Sequence, residues 1–517
     1  MKNKLRYIAL LCAISICFTS CNKDNKEVIA NAPSSEPSAD DTIKSDTPLI
    51  LAYSEQGGLN PYLTQNNITL QLCDLLYEKM IQIAPDMTLQ MRAVSDVRIN
   101  GLNVTIYPDT SYTYKDGTNV SAEDIAACIN AARTNVLYKA QLANIDKIEI
   151  AQGNVNITLL APDSLFAYLL CLPVIKASDI ASGSPMSSGR YSFDENLLRR
   201  NEATKSATPI LPETIKLKSV DSFDEIINAL SVGEVSLYAT EQENNSSSTT
   251  TSLQSFYKMN NLVFIGLNSK RGENSILSYP DGRKAINAML DRQLIADKCY
   301  YSRAYPATGA INSLYPCVSS QQLLMPNADI ASADALITSL GFDKNSLDGY
   351  YNKKKKRLEL ELLVYSNSTY KRYTANLIKE HLGQNGIYVN IIETDNFDIY
   401  TQKIAAGEFD MYIGEIKMYN NMDLVPFLQG GAVSSGISMS EELIAAYSAF
   451  KENSTNAPAF EQIFAREMPY IPLLWRCGSL VTTKNVHGII PCITDVFFNM
   501  DALECTDAKT QDTMNIK

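Results

Sequence analysis

Glu415, Lys417 and Tyr419 stand at alternate positions directly after the apolar run Phe409 to Gly414, and the one tryptophan, Trp475, is followed at once by Arg476. A carboxylate accepts charge-assisted hydrogen bonds from an ammonium group, a lysine or arginine donates them to a carboxylate, and an aromatic ring offers a face for stacking. These are means of holding a charged solute rather than of breaking a bond. The same residues also suit blander places: charges at loop ends are commonly solvated, and a lone tryptophan is as often core. Groups for bond breaking are scarce. His381 and His487 are the only histidines, and neither has a Cys or His neighbour at ligand spacing, so a zinc or nickel centre built on histidine is not expected. Gly-x-Ser-x-Gly, His-Glu-x-x-His, Gly-x-Gly-x-x-Gly and the phosphate-cradling Gly-x-x-x-x-Gly-Lys-Ser/Thr are all missing from the sequence. Glu441 and Glu442 are adjacent on a predicted helix and point about 100° apart, which is no acid and base facing across a cleft. The expectation is a binding protein, not an enzyme, without a cofactor; a secreted hydrolase would have to work without these motifs.

Composition agrees with a folded, exported binder. The 517 residues carry 45 Lys+Arg against 57 Asp+Glu, a net charge of −12, which disfavours nucleic acid as a partner. The five-residue positive run Lys353 to Arg357 joins a Gly/Tyr turn to a strand and reads as a solvated hairpin tip. Length alone suggests about three domains or lobes. At the N-terminus, Lys2, Lys4 and Arg6 precede an uncharged apolar run, Tyr7 to Thr19, ending Phe18-Thr19-Ser20-Cys21. That is the pattern of a secretory signal, too short to span a bilayer comfortably. Cysteine after small residues resembles a lipobox, although Phe18 stands where leucine is usual, so residues 1–20 are expected to be removed and Cys21 to be lipidated. The polar, Pro/Ser/Asp-rich residues 21–47 then form a flexible tether. Eight cysteines remain beyond the leader; the even number permits disulfides, yet several sit in apolar segments and suit small buried hydrophobes.

The elements that must position the charged residues follow from periodicity. Pro48 to Tyr53 reads as a strand, Thr69 to Ile81 as an amphipathic helix, Gly101 to Pro108 and Ser111 to Tyr114 as strands, and Ala122 to Thr134 as a helix capped by Ser121 with Asp124. Ile145 to Ile150 and Val155 to Leu160 flank Gln152-Gly153-Asn154 as a hairpin. Further along, Leu358 to Tyr365, Tyr370 to Asn385, Tyr388 to Glu393, Asp398 to Ala406 and Phe409 to Gly414 alternate strand and helix. Such a doubly wound unit binds ligands at the carboxyl ends of its strands, which places Glu415 to Tyr419 on a crevice.

In order along the chain, Leu59-Asn60-Pro61, Asp74-Leu75-Leu76-Tyr77-Glu78, Tyr114-Lys115-Asp116-Gly117 with Ser121 to Ile125, Ser188-Gly189-Arg190-Tyr191, Gly282 to Ile286 with Asp291-Arg292, Gly407 to Asp410, and Met468 to Leu473 carry a likeness. Across roughly residues 48 to 500 the chain resembles family 5 of the bacterial extracellular solute-binding proteins, the oligopeptide-, dipeptide- and nickel-binding lipoproteins of ABC importers. The resemblance implies an α/β, two-lobed periplasmic-binding-protein-like fold (type II, large peptide-binding class) with an extra subdomain in the first lobe. By analogy lobe I comprises 48–65, the extra subdomain 66–186, 187–260 and the C-terminal segment 476–517, with lobe II at 261–475. It also implies capture of a peptide or similar small solute by hinge closure, delivery to ABC permease subunits, a lipid anchor on the extracytoplasmic face of the cell membrane and a monomeric receptor. A non-transport surface receptor on the same fold, sensing peptides or serving adhesion, is the alternative.

Where the peptide binders carry Gly-Trp and then an aspartate for the peptide amino terminus, this chain runs Gly414-Glu415-Ile416-Lys417-Met418-Tyr419; where the dipeptide branch has an arginine for the carboxylate, it has Tyr365-Ser366-Asn367-Ser368. A simple dipeptide clamp is therefore not expected. The candidate ligand contacts are Tyr53, Glu55, Asn67, Gly414, Glu415, Lys417, Tyr419, Trp475 and Arg476, with Glu415 foremost for an ammonium group and Lys417 for a carboxylate. Glu415 is expected to face water in an empty cleft. If Cys21 carries the anchor, Cys21→Ala moves the protein from the membrane to the soluble fraction on cell fractionation; retention in the membrane overturns the lipobox reading.

Overall fold

The computed structural model describes residues 48–506 apart from 57, 206–207, 209–210, 242–251, 273–274, 319–322 and 429. The leader, the tether and Cys21 lie outside the described residues.

Two long strands organise the chain. Ser252–Leu267 and Tyr470–Thr483 are 16 and 14 residues long and run antiparallel, from Ser252 opposite Thr483 to Gly266 opposite Tyr470. Runs of β-branched and aromatic residues, buried along most of their length, explain why both persist so far as strands. The ladder is not continuous: its register shifts between Lys258 and Leu262 and again between Val263 and Phe264, irregularities that bend a strand and sharpen its twist. On one side of the shift, Asn261 to Leu267 pair antiparallel with Met411–Lys417. Beyond that strand lie Glu359–Tyr365 and Tyr388–Thr394, all three parallel to one another in the order expected of a doubly wound unit. On the other side, Ser479 to Thr482 pair with Leu237–Thr240, followed by Ile50–Tyr53, Thr214–Ser219 and the hairpin Leu197–Arg200 with Tyr191–Asp194. A separate four-stranded antiparallel sheet is built from Val94–Asn100, Asn103–Pro108, Ile145–Ala151 and Asn154–Leu159.

The apolar residues sort along the same line. One core is drawn from Leu49 to Met259 with Leu480 to Met500, another from Val263 to Leu474. A third gathers aromatic rings at the crossing, including Phe264, Phe427, Tyr470 and Trp475, together with Leu165 and Tyr168 from the earlier part of the chain.

Local chemistry sets the helix ends. Asn66 caps Asn67–Leu76 by accepting from the Ile68 amide at 2.9 Å, and Ser121 and Asp124 form a reciprocal capping box at Ala122–Thr134. The first of these helices is shorter than periodicity suggests, because Tyr77 turns extended and Ile81–Ile83 becomes a strand. Ser111 to Tyr114 is not a strand either; Thr113 makes only an isolated bridge to Asn119. The positive run is a hairpin tip, with Lys354 and Lys355 at φ 51° and 64° between Tyr351–Lys353 and Lys356–Arg357.

Several of the motif residues serve the fold. Arg283 donates to the Leu277, Glu467 and Met468 carbonyls. The fully buried Arg292 donates to Pro472 O at 3.0 Å and Met325 O at 3.2 Å, and burial brings its pKa down to about 10. All eight cysteines beyond the leader are free thiols, and burial pushes every one of them up, Cys128 to about 12 and Cys492 to about 11.

Gly189 lets two backbones meet: a Cβ there would lie 2.6 Å from Leu75 O and 2.7 Å from Tyr77 N, at the end of the Asn67–Leu76 helix. Because neither neighbour is a movable side chain, Gly189→Ala is expected to lower unfolding stability by about 1–3 kcal/mol in denaturant titration. A midpoint equal to that of the natural chain contradicts this close approach.

Candidate functional site

A cavity of about 660 Å³ opens beside the strand crossing, a size that suits a small solute. One wall comes from the helix Asn67–Leu76, through Asn67, Ile68 and Gln71, and another from Tyr138 and Tyr168. Tyr257 and the turn Lys417 to Asn420 border it at the crossing, and Cys492 to Phe497 supply the remaining side. Tyr138, Tyr168, Tyr238, Tyr257, Tyr419 and the phenyl rings of Phe223 and Phe497 make the lining strongly aromatic.

Charge enters the cavity in paired form. Lys79 Nζ lies 2.7 Å from Asp74 Oδ1. Asp495 accepts from Gln82 at 2.6 Å and pairs with Arg190 at 3.1 Å, and Arg190 also donates to the Asp74 and Phe497 carbonyls. Arg92 meets Glu78 at 3.0 Å alongside. Burial alone would lower the Lys79 ammonium, but Asp74 and Asp495 outweigh it and hold the group above its ordinary value. Three cations here match three carboxylates, so the charges in and behind this part of the wall are paired.

Of the nine candidate contacts, Asn67, Lys417 and Tyr419 line the cavity. The other six do not. The Tyr53 hydroxyl, at the end of the first strand, donates to Glu55 at 3.2 Å and lies 3.3 Å from Asn196 Oδ1. Gly414 is not a strand terminus: the strand runs Met411–Lys417, and a Cβ on Gly414 would meet the Phe264 ring at 2.4 Å. The glycine thus admits an aromatic ring, and Glu415 lies within the strand, opposite Val263. Trp475 is fully buried in the aromatic cluster at the crossing, and its Nε1 makes no hydrogen bond among the described residues.

Glu415 also differs from the expectation of a carboxylate facing water. Its Oε1 receives Arg476 Nη1 at 2.5 Å and Asn261 Nδ2 at 3.3 Å, and its Oε2 lies 2.8 Å from Lys371 Nζ. The three charged side chains are 9 to 16% exposed. Burial alone would raise the Glu415 pKa; Lys371 and Arg476 outweigh it and hold the carboxyl down at about 2. Arg476 also donates to the Glu241 carbonyl at 2.7 Å, and Lys417 pairs with the Glu241 carboxylate at 2.6 Å, which joins this cluster to the cavity rim. Sequence reasoning missed Lys371, Asp74, Lys79 and Asp495. Asp74 and Lys79 had a local signal, charges set within an apolar helix and its exit, whereas Lys371 reaches Glu415 only through the packing of its helix, Thr369–Gln384, on the sheet.

A model of the bacterial extracellular solute-binding proteins, family 5 Middle, matches residues 91–435. The chain belongs to that family. No curated protein matches it. Among solved structures, the unliganded open form of the murein tripeptide binding protein MppA aligns with TM-score 0.73 at 14% identity, over 89% of this chain and 98% of that one. A nickel ABC transporter protein from Bacillus halodurans gives 0.72 at 16% identity, over 88% and 99%. The oligopeptide-binding protein AppA from Bacillus subtilis, in complex with a nonapeptide, gives 0.56 at 14% identity, over 89% and 100%. The fold of this family 5 solute-binding protein is thus mixed α/β with a large sheet, of the type II periplasmic-binding-protein-like kind. Among the described residues no helix is long and apolar enough to cross a membrane, and no group of three His, Cys, Asp or Glu side chains is placed to hold a metal ion.

Removing the Glu415 charge leaves Lys371 and Arg476 buried side by side. Glu415→Gln is expected to lower stability by about 2–4 kcal/mol at neutral pH. Since the folded carboxyl is depressed to about 2 from an ordinary 4.5, its contribution is complete above pH 4.5 and fades as pH falls toward 2. Chemical denaturation of both proteins across that window checks it; a difference that does not depend on pH places the stabilisation elsewhere.

Proposed function

We propose that the protein is a lipid-anchored, extracytoplasmic receptor of an ABC importer that captures a peptide or similar small solute between two lobes and closes on it by hinge motion. The lobes are those expected from sequence, 48–260 with 476–517 and 261–475, and the anchor is Cys21. The observation that carries the reading is the position of the large cavity beside the register shift of the two long strands. A ladder with one bulged stretch and separate cores on either side can bend there while both cores stay packed. Family membership supports the transport role.

Solution scattering tests it. With a mixed oligopeptide preparation at saturation, the radius of gyration is expected to fall as the lobes close. Curves that superimpose with and without peptide, while calorimetry shows binding, identify a rigid scaffold rather than a closing receptor.

A further inference from the structure

The cavity beside the strand crossing has its charged groups engaged and its neutral ones free. Among the described residues five charged side chains line it, Asp74, Lys79, Glu241, Lys417 and Asp495. All five are held within the protein. Asp74 and Lys79 pair at 2.7 Å, Glu241 and Lys417 at 2.6 Å on the rim, and Asp495 with Arg190 at 3.1 Å, Asp495 accepting from Gln82 as well. Glu415, expected from sequence to receive an ammonium group, does not line the cavity and is bound by Arg476 and Lys371. The neutral polar groups differ. The hydroxyls of Tyr138, Tyr257 and Tyr419 and the side-chain amides of Asn67 and Gln141 line the same cavity and make no hydrogen bond among the described residues. Tyr257 is only 7% exposed. Its ring lies across Gly478, its partner in the ladder, where a Cβ would stand 2.2 Å from the ring Cζ, so the strand crossing itself fixes where this phenol sits.

A charged group brought into this space would either lose water without gaining a counter-ion or have to displace a member of an existing pair, and both are costly. An amide or hydroxyl meets donors and acceptors that have no other partner, between aromatic rings that offer faces for stacking. We propose that the solute enters this cavity as an uncharged peptide, its two ends blocked or joined in a ring, held by the Tyr138, Tyr257 and Tyr419 hydroxyls and the Asn67 and Gln141 amides. The inference rests on the solute-binding reading and specifies the charge and chemistry of what is bound. It changes the role that sequence alone suggests for Lys417, from partner of a ligand carboxylate to partner of Glu241 at the rim.

Three peptide pools of the same composition, with side chains that carry no charge, serve as probes: free tripeptides with both terminal charges, the same tripeptides N-acetylated and C-amidated, and their head-to-tail cyclic forms. Binding is measured by calorimetry on the full exported chain at low and high salt. At least one uncharged pool is expected to bind about tenfold or more tightly than the free one, with an affinity that salt leaves unchanged, and the tighter of the two tells a blocked peptide from a ring. Tyr257→Phe and Tyr419→Phe are each expected to weaken that binding about fivefold, the size of one neutral hydrogen bond. Their thermal midpoints without peptide are expected to match the natural chain, because neither hydroxyl has a partner to lose. Equal or tighter binding of the free pool by the natural protein overturns the proposal and needs no variant to fold, and lobe closure on that pool would leave the receptor reading standing. Full affinity in both phenylalanine variants overturns it too, as does binding of none of the pools. In that last case native mass spectrometry of the exported protein separates the two levels: a retained charged or non-peptide molecule keeps the solute-binding reading while ending the uncharged-peptide inference.

Discussion

The pairing of Ser252–Leu267 with Tyr470–Thr483 is the constraint on which the rest of the molecule depends. Central strands must have their backbone donors and acceptors satisfied along their whole length. These two meet that requirement with each other on either side of the register shifts and with different neighbours at their two ends, Met411–Lys417 on one side and Leu237–Thr240 on the other. The chain therefore crosses from one core to the other twice through the same ladder. The aromatic cluster around Trp475 fills the crossing on one face, while the opposite alternation directs Arg476 and Glu415 to the other, where they pair.

That alternation explains why adjacent residues have unlike fates. Trp475 and Gly414 belong to the packed face, and Arg476 and Glu415 to the charged one. Two charge clusters near the cavity solve the cost of burial differently. Around Asp74 and Lys79 each cation has a carboxylate, an arrangement that secures the wall. At the crossing one carboxylate, Glu415, is shared by Arg476 and Lys371 in a buried place, and Lys417 with Glu241 pairs nearer the solvent.

Much of the fold was legible because it is written in local chemistry. Ser121 and Asp124 announce the helix Ala122–Thr134 at its observed bounds, and the alternating strands and helices from Glu359 to Lys417 appear with their parallel order. The candidate site was less legible. Gly414 looks like a stop when read along the chain, but it is a space for Phe264, a residue about 150 positions away. Glu415 was assigned to water because nothing near it in sequence shows that Lys371 and Arg476 converge on it. Lys417 and Tyr419, expected on a crevice, do line the cavity because they stand at and just past the strand end, where position along the chain and position in space still coincide. Tertiary pairing, not propensity, decides such cases.

The free thiols of the core carry a further consequence. Disulfide exchange and oxidation proceed through the thiolate, and burial favours the neutral form of every one of these eight groups. Among the described residues the thiols consequently offer oxidants little to react with, and none of them is cross-linked. The vulnerable interval is the passage between translocation and folding, when eight reactive sulfurs are uncovered at once, so rapid burial of the core is also chemical protection of the chain.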